Sequence, residues 1–259
     1  MARRTLSRSR AILTGASSGI GRALARELAR RGVRLILNAR REDRLRELES
    51  EIRSDGGAAH CAPGDVSDPS LRRRLVETAK RELGGLDLLV NNAGMGRFGP
   101  FADSDEARLR QTLEVNFFAP VELIRDALPL LRTGERPMIV NISSVLGHVA
   151  MPHKSEYCAS KFALHGFSDA LRMELRSAGI GVLVVSPSTT ATEFFDKAEN
   201  DPGRRPKRGM SPEKVARKTA RAMERGRREI ILSPEGSLAV WADRLTPGWL
   251  NWAMARWGG

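Results

Sequence analysis

The sequence has few of the features that mark membrane-spanning or disulfide-bonded proteins. No uninterrupted apolar run approaches the roughly 18 residues of a bilayer-spanning helix. The two cysteines, Cys61 and Cys158, are far apart and lack metal-ligand spacing, which excludes a disulfide framework and a cysteine zinc site. The basic N-terminus lacks the apolar stretch of a secretory signal. We therefore expect a soluble, cytoplasmic protein.

Aromatic residues are also scarce, in a chain whose net charge is +12. Such an excess of positive charge can indicate binding to nucleic acid or to an anionic membrane. Here, however, the basic residues are spread along the whole chain and are not interleaved with aromatic residues as in single-strand binders. Solvated, arginine-rich helix faces explain the charge better. We predict no nucleic-acid partner.

Short apolar runs alternate with amphipathic stretches along the chain. A length of 259 residues is enough to bury one core, and no linker, repeat or low-complexity tract divides it. Apolar runs with little alternation are typical of parallel strands that are covered on both faces. We predict an α/β fold with a single Rossmann-like domain over 1–259, in which a doubly wound parallel sheet forms the middle of three α/β/α layers.

A glycine-rich turn follows the first predicted strand and opens a helix. The spacing of Gly15, Gly19 and Gly21 is a variant of the dinucleotide-binding fingerprint, in which glycines let the backbone approach a pyrophosphate. A glycine turn without a ligand is the alternative. We predict phosphate contacts from the whole turn, which comprises Gly15, Ser17, Ser18, Gly19, Ile20 and Gly21.

The end of the second predicted strand indicates which dinucleotide binds. An NAD site has an acidic residue there for the adenosine ribose, whereas this chain has Asn38, Ala39, Arg40 and Arg41. A guanidinium binds a 2′-phosphate through charge-assisted hydrogen bonds. We predict that Arg40 makes this contact and that the cofactor is NADP(H).

The only tyrosine is followed one helical turn later by a lysine. At this spacing Tyr157 and Lys161 lie on one helix face, and an ammonium near a phenol lowers the pKa of the phenol. Ser144, at the end of a predicted strand over residues 137–143, would bring a second hydroxyl to the same substrate oxygen. We predict that Tyr157 is a general acid/base. A lysine that lies along a helix face is the alternative.

Together these motifs resemble the short-chain dehydrogenase/reductase family from Ala11 to about Leu232. The resemblance implies that Tyr157 is the catalytic acid or base and that Ser144 orients the substrate carbonyl. It also implies that Lys161 binds the nicotinamide ribose and that Asn116 anchors a water that relays protons to Lys161. The matching segments are Thr14–Gly21, Asp65–Val66, Asn91–Gly94, Asn116, Ser144 and Tyr157–Lys161.

The resemblance also implies cofactor contacts outside the glycine turn. Ser188 stands where the family usually has glycine, which leaves Thr190 and Thr192 as nicotinamide contacts by position only. The stretch 193–210 corresponds to a mobile substrate lid, whose basic residues either hold an anionic substrate or form a solvated loop. The implied contacts are Asp65, Val66, Asn92, Ala93, Gly94, Tyr157, Lys161, Thr190 and Thr192.

The C-terminal tail, about 236–259, contains all four tryptophans and a Pro247-Gly248 break that predicts two short helices. Such a tail suits peripheral membrane contact, packing on the substrate pocket or packing on another subunit. His148 and His153 have no ligand-pair spacing, so we interpret them as turn residues or substrate contacts and predict no metal.

Three functions follow from these features. The first is an NADP(H)-dependent oxidoreductase that transfers hydride between nicotinamide and a ketone, aldehyde or secondary alcohol. The second is a dinucleotide-binding regulatory protein without turnover, and the third is a charge-driven nucleic-acid binder. The resemblance further implies a homodimer or homotetramer that pairs through two long helices, about Ser104–Leu131 and Tyr157–Ala178.

Overall fold

The computed structural model describes residues 4–190 and 209–257. Seven strands form one sheet in the order β3-β2-β1-β4-β5-β6-β7, and all neighbouring pairs are parallel. The order reverses between β1 and β4, so the predicted doubly wound sheet is confirmed. The strands are β1 (Arg10–Thr14), β2 (Arg34–Asn38), β3 (Ala58–Cys61), β4 (Leu88–Asn91), β5 (Met138–Ile142), β6 (Gly181–Ser186) and β7 (Glu229–Ile231).

Helices cover both faces of this sheet and enclose two hydrophobic cores, because successive strand side chains point to opposite faces. One core joins the sheet to α1, α2 and α7, and the other joins it to α3, α5 and α6. The helices are α1 (Gly19–Arg30), α2 (Glu42–Ser54), α3 (Pro69–Thr78), α4 (Glu106–Leu113), α5 (Ala119–Leu131), α6 (Ser155–Glu174), α7 (Pro212–Glu224), α8 (Pro234–Leu245) and α9 (Pro247–Trp257).

Two helices contain a π-helical segment that the sequence pattern did not predict. Ala79–Leu83 extends α3, and Glu114–Phe118 joins α4 to α5. The helix predicted over about Ser104–Leu131 is therefore a helical run from Glu106 with a wider turn in its middle, at Asn116. π segments of this kind occur frequently at functional sites.

A buried hydrogen-bonded chain of polar side chains crosses the middle of the sheet. Asn91 on β4 donates to the Asn141 side chain on β5 at 2.9 Å, and Asn141 donates to the Ser168 hydroxyl on α6 at 2.9 Å. Buried polar groups are stable when they are hydrogen-bonded in this way. These hydrogen bonds fix α6, which carries Tyr157 and Lys161, against the central strands.

The C-terminal tail forms the two short helices that the Pro247-Gly248 break predicts, α8 and α9. No described helix has both the length and the hydrophobicity needed to cross a bilayer. Thr192 and residues 193–208, which make up most of the predicted lid, lie outside the described residues.

Candidate active site

A cavity of about 1160 Å³ opens at the carboxyl ends of the strands, where α/β sheets of this topology bind ligands. It brings together almost all of the predicted site residues. Asn116 is buried close to it, and Thr192 lies outside the described residues. The predicted residues that line it are Gly15, Ser17, Ser18, Gly19, Ile20, Gly21, Arg40, Asp65, Val66, Asn92, Ala93, Gly94, Ser144, Tyr157, Lys161 and Thr190.

The glycine turn after β1 packs directly on the turn after β4. A Cβ atom at Gly15, whose φ is +68°, would lie 2.8 Å from the Asn92 Nδ2 atom, and one at Gly21 would lie 2.1 Å from the Gly15 carbonyl oxygen. The Asn92 amide donates to the carbonyls of Thr14 and Gly15, at 3.0 and 3.1 Å. These two glycines are therefore required by close packing, and Asn92 holds the turn in place.

The N-terminus of α1 faces the cavity from this turn. Ser18 is the N-cap residue, but within the described residues its side chain makes no capping hydrogen bond, and the first turn has no acidic residue. The free backbone N–H groups and the helix dipole at such an end attract a phosphate. The turn thus provides an anion-binding position on the cavity wall.

Two arginines extend this basic wall beyond β2. Asn38 at the end of the strand is buried, and its amide donates to the carbonyl of Ala62 at 2.9 Å, so it is directed away from solvent. The Arg40 guanidinium is 74% exposed and lies 3.9 Å from the Asp65 carboxylate. The Arg41 guanidinium donates to the Ser17 hydroxyl at 3.3 Å. The β2 end therefore presents cations to the cavity.

The predicted catalytic pair meets Ser144 at the opposite end of the cavity. Tyr157 lies in the first turn of α6, is only 7% exposed, and its hydroxyl is hydrogen-bonded to the Ser144 side chain. Lys161 lies one turn further on, and its ammonium donates to the Ile142 carbonyl at 3.0 Å. The Lys161 Nζ atom is 5.7 Å from the centroid of the Tyr157 ring. The three side chains thus line one end of the cavity.

The protonation of this pair differs from the sequence-based prediction. Burial raises the pKa of Tyr157 well above that of a free phenol, although the hydrogen bond to Ser144 opposes this effect. Burial also lowers the pKa of Lys161 to about 8. The net lowering of the tyrosine pKa that the sequence predicted is therefore wrong for the protein alone, because desolvation dominates for both groups.

Asn116, in the middle of the helical run from Glu106, makes several buried hydrogen bonds. Its amide accepts from the Met95 N–H at 2.8 Å and donates to the Met95 carbonyl at 2.9 Å. It also donates to the Ser160 hydroxyl at 3.0 Å. A Cβ atom on Gly94 would lie 3.3 Å from the Asn116 Oδ1 atom and 3.7 Å from the Lys161 Nζ atom. Glycine at 94 therefore leaves space where these two groups approach each other.

Two functional features escaped the sequence analysis, and His148, interpreted there as a turn residue or a substrate contact, has other partners. Arg108 on α4 and Glu156 on α6 form a buried ion pair at 2.8 Å, which fixes the turn that carries Tyr157. The start of α8, from Ser233 to Gly236, lines the cavity. His148 contacts Ser186 and Glu229 instead of the cavity. None of these residues belongs to a local motif, so only the fold could identify them.

The geometry above agrees with the comparison to known families. Residues 9–203 match the model of the short chain dehydrogenases. The chain belongs to this family. It is therefore an oxidoreductase that acts on a CH–OH or C=O group.

Relatives of this short chain dehydrogenase cover most of its length. It is 32% identical over 256 residues to dehydrogenase/reductase SDR family member 7B of Bos taurus, an alignment that covers 92% of this chain and 77% of the relative. A Burkholderia phymatum short chain dehydrogenase/reductase solved with NAD is 26% identical, with a TM-score of 0.85 over 93% of this chain and 94% of that one.

An archaeal structure is similar too, but it was solved with a different dinucleotide. The alcohol dehydrogenase of Thermococcus sibiricus, complexed with 5-hydroxy-NADP, is 25% identical, with a TM-score of 0.78 over 86% of this chain and 95% of that one. Solved neighbours of this dehydrogenase therefore bind NAD or an NADP derivative. The likeness alone does not choose between the two cofactors.

Proposed function

We propose that this short chain dehydrogenase transfers hydride between NADP(H) and a ketone, aldehyde or secondary alcohol, with Tyr157 as the general acid/base. The observation that carries the proposal is the hydrogen-bonded pair of Tyr157 and Ser144 at one end of a cavity whose other end is the glycine turn and Arg40. A dinucleotide placed along this cavity would have its phosphates at the N-terminus of α1.

Four groups of the chain contribute to the proposed reaction. A bound NADPH would supply a hydride for the carbonyl carbon, and the carbonyl oxygen would then carry the negative charge. Ser144 donates a hydrogen bond to that oxygen, and Tyr157 gives it the phenolic proton. Lys161 holds the nicotinamide ribose, and its positive charge stabilises the phenolate that remains. Asn116 holds a water molecule that returns a proton through Lys161.

The choice of NADP(H) rests on the charges at the end of β2. Arg40 and Arg41 line the cavity, and Asn38 stands at the strand end where an acidic residue would bind the ribose hydroxyls of NAD. Asp65 lies 3.9 Å from Arg40, so the guanidinium is already directed toward this corner of the cavity. A 2′-phosphate would bind here by charge-assisted hydrogen bonds.

The experiment that tests the proposal is Tyr157→Phe. We expect NADPH oxidation with an accepted carbonyl substrate to fall about 10²- to 10⁴-fold, because the variant cannot donate the proton. NADPH binding, followed by its fluorescence, should persist and serves as the control for folding. Full turnover by the variant would remove the mechanism. Absence of turnover in the unsubstituted protein across a broad carbonyl panel, with binding intact, would favour the dinucleotide-binding regulatory protein.

Two nicotinamide contacts are proposed after β6, and of these Thr190 lies among the described residues. Thr190 is buried, lines the cavity, and its hydroxyl donates to the Ser188 carbonyl at 3.1 Å. Its backbone also pairs with Met210, which follows the segment outside the described residues. We propose Thr190 as a contact of the nicotinamide carboxamide. Thr192 is proposed on its sequence position alone.

We further propose that the C-terminal helices contact a membrane surface peripherally. Leu238 and Trp241 on α8 are 71% and 60% exposed, and Trp249 on α9 is 60% exposed. The Arg256 guanidinium stacks on the Trp252 ring at 5.6 Å, a combination suited to an anionic interface. Trp241→Ser with Trp249→Ser should abolish sedimentation with anionic vesicles; a smaller oligomer with unchanged sedimentation would instead place these helices at a subunit contact.

The proposed homodimer or homotetramer would pair through the helical run of α4 and α5 and through α6. Exposed apolar side chains on these helices support the proposal: Phe118 is 47%, Phe162 42% and Met173 73% exposed. Light scattering of Met173→Glu measures the assembly directly. A mass unchanged from that of the unsubstituted protein would exclude Met173 from the interface.

A further inference from the structure

Two histidines and a glutamate meet beside the active-site cavity. His148 follows the turn after β5, His165 lies on α6, and Glu229 begins β7. Their potential ligand atoms all lie within 4.8 Å of one another. The His148 Nε2 atom is 2.9 Å from the Glu229 Oε1 atom, and the His165 Nδ1 atom is 4.0 Å from it. None of the three is among the described residues that line the cavity.

The three side chains have the chemistry of a zinc ligand set. Two imidazole nitrogens and one carboxylate oxygen, with a water in the fourth position, are a recurrent arrangement around Zn²⁺. The side chains of His148 and His165 are 4% and 14% exposed, whereas that of Glu229 is 32% exposed. Part of the Glu229 side chain is therefore open to solvent, whereas its Oε1 atom, which faces the histidines, is buried.

A second carboxylate orients His165 toward the cluster. The Asp169 Oδ2 atom lies 3.4 Å from the His165 Nε2 atom, on the side of the ring opposite Nδ1. Metal-binding histidines commonly make this contact with a carboxylate through their other nitrogen, which fixes the tautomer and the ring orientation. Arg172 in turn pairs with Asp169 and holds it in place.

Two atoms of the cluster are buried without a hydrogen-bond partner among the described residues. They are the His165 Nδ1 atom and the Glu229 Oε1 atom. A buried polar atom without a partner is costly, and a metal ion would satisfy it.

We propose that His148, His165 and Glu229 bind a divalent transition metal ion of the zinc class. The ion joins α6 to the turn after β5 and to β7. Lys161 is one helical turn before His165, and Ser144 precedes His148 by a single turn of 3-10 helix, so the ion braces both segments that carry the proposed catalytic groups. Its role is structural, because none of its three ligands is among the described residues that line the cavity.

The test uses the full chain without a polyhistidine tag, stripped with EDTA and titrated with Co²⁺ and then Zn²⁺. We expect one equivalent of Co²⁺ to give the visible absorption of a four- or five-coordinate site, and Zn²⁺ to displace it. Saturating Zn²⁺ should raise the thermal midpoint, because it binds only the folded state. Mg²⁺ should do neither, since His-rich sites disfavour it.

Variants separate the cluster from adventitious binding. His165→Gln and Glu229→Gln should each lose the Co²⁺ absorption and the Zn²⁺-dependent rise in midpoint. Asp169→Asn should bind Zn²⁺ about 10- to 100-fold more weakly, as loss of such a supporting carboxylate typically does. The matched control is His60→Gln, because the His60 Nδ1 atom lies 4.0 Å from Glu82 but has no second histidine beside it.

Two results would overturn the proposal. One is that the unsubstituted protein takes up no stoichiometric Co²⁺ or Zn²⁺. The other is that His165→Gln and Glu229→Gln bind the ion as tightly as His60→Gln does, which would place it elsewhere. Circular dichroism of the metal-free variants checks that they fold, and either variant that folds is sufficient to decide.

Discussion

Lys161 and His165 occupy successive turns of α6, yet their surroundings have opposite electrical character. The Lys161 ammonium contacts the Ile142 carbonyl and the Tyr157 ring, and no described carboxylate lies within ion-pair distance of it. His165 instead lies between the carboxylates of Asp169 and Glu229. One turn of the helix thus presents a buried cation, and the next presents a set of acceptors.

The cavity wall favours a negatively charged ligand, whereas the histidine cluster favours a positively charged one. The cavity wall is basic, with Arg40, Arg41, Lys154 and Lys161 among its lining residues, so it is complementary to an anionic dinucleotide. The histidine cluster is complementary to a cation. Buried groups without a counterpart lower stability, and they persist where binding supplies the missing charge. Predictions follow in order of decreasing effect.

The largest expected effect is on stability, in Lys161→Met. The pKa of Lys161 is lowered from 10.5 to about 8, so below pH 8 the folded protein holds a protonated amine that costs about 3 kcal/mol. Loss of the hydrogen bond to Ile142 offsets about 1 kcal/mol of this. We therefore expect the free energy of unfolding in urea at pH 7 to rise by about 2 kcal/mol, although hydride transfer is lost.

The lowered pKa of Lys161 also predicts how the stability gain of Lys161→Met changes with pH. The unfolded state binds more protons than the folded state between pH 8 and pH 10.5, so the penalty disappears as the pH rises through that window. The stability gain of Lys161→Met should accordingly vanish by pH 10.5. Lys218→Met is the matched control, because Lys218 also donates to a backbone carbonyl, that of Leu232, but is only half-buried. A gain that is independent of pH would contradict the assignment.

How far the sequence predicts this region depends on how local its contacts are. The strand, glycine turn and helix around Gly15 were predictable, because each is fixed by residues adjacent in the chain. Tyr157 and Lys161 were predictable as a pair, because one helical turn separates them. Their protonation was not, because desolvation depends on how α6 packs against β5. The π segment at Asn116 depends on tertiary packing in the same way.

The histidine cluster could not be predicted from local contacts, because its residues are far apart in the sequence. His148, His165 and Glu229 come from a turn, a helix and an edge strand, and only the parallel pairing of β6 with β7 brings Glu229 to the others. No spacing rule detects such a set, and the expectation that the chain binds no metal rested on spacing alone. The buried pair of Arg108 and Glu156 escaped detection for the same reason. Sequence motifs identify sites within one segment, whereas sites between segments require the fold.

An intermediate effect is expected from Arg40→Ala, which tests the basic wall of the cavity. Charge-assisted hydrogen bonds contribute about 1.5–3 kcal/mol, and exposure of the guanidinium reduces this, so we expect NADPH to bind about 10-fold more weakly. NADH, which has no 2′-phosphate, should bind as before. Arg46→Ala is the control, because Arg46 is an exposed arginine on α2 that pairs with Glu42. Equal weakening of both cofactors would show that Arg40 does not select between them.

The smallest effect should come from removing the metal ion from the unsubstituted protein. A metal ion that acts as a Lewis acid contacts the substrate, and its loss removes several kcal/mol of transition-state stabilisation. An ion that only braces α6 makes no such contact, so its loss should change turnover less than about twofold. We expect EDTA treatment to lower the thermal midpoint while NADPH turnover at 25 °C is nearly unchanged. Restoration by Zn²⁺ confirms that the loss is reversible. If turnover instead falls as far as in Tyr157→Phe, the ion takes part in the reaction, and the two neighbouring turns of α6 form a single reactive centre. An ion that only braces α6 could not control proton transfer within the cavity.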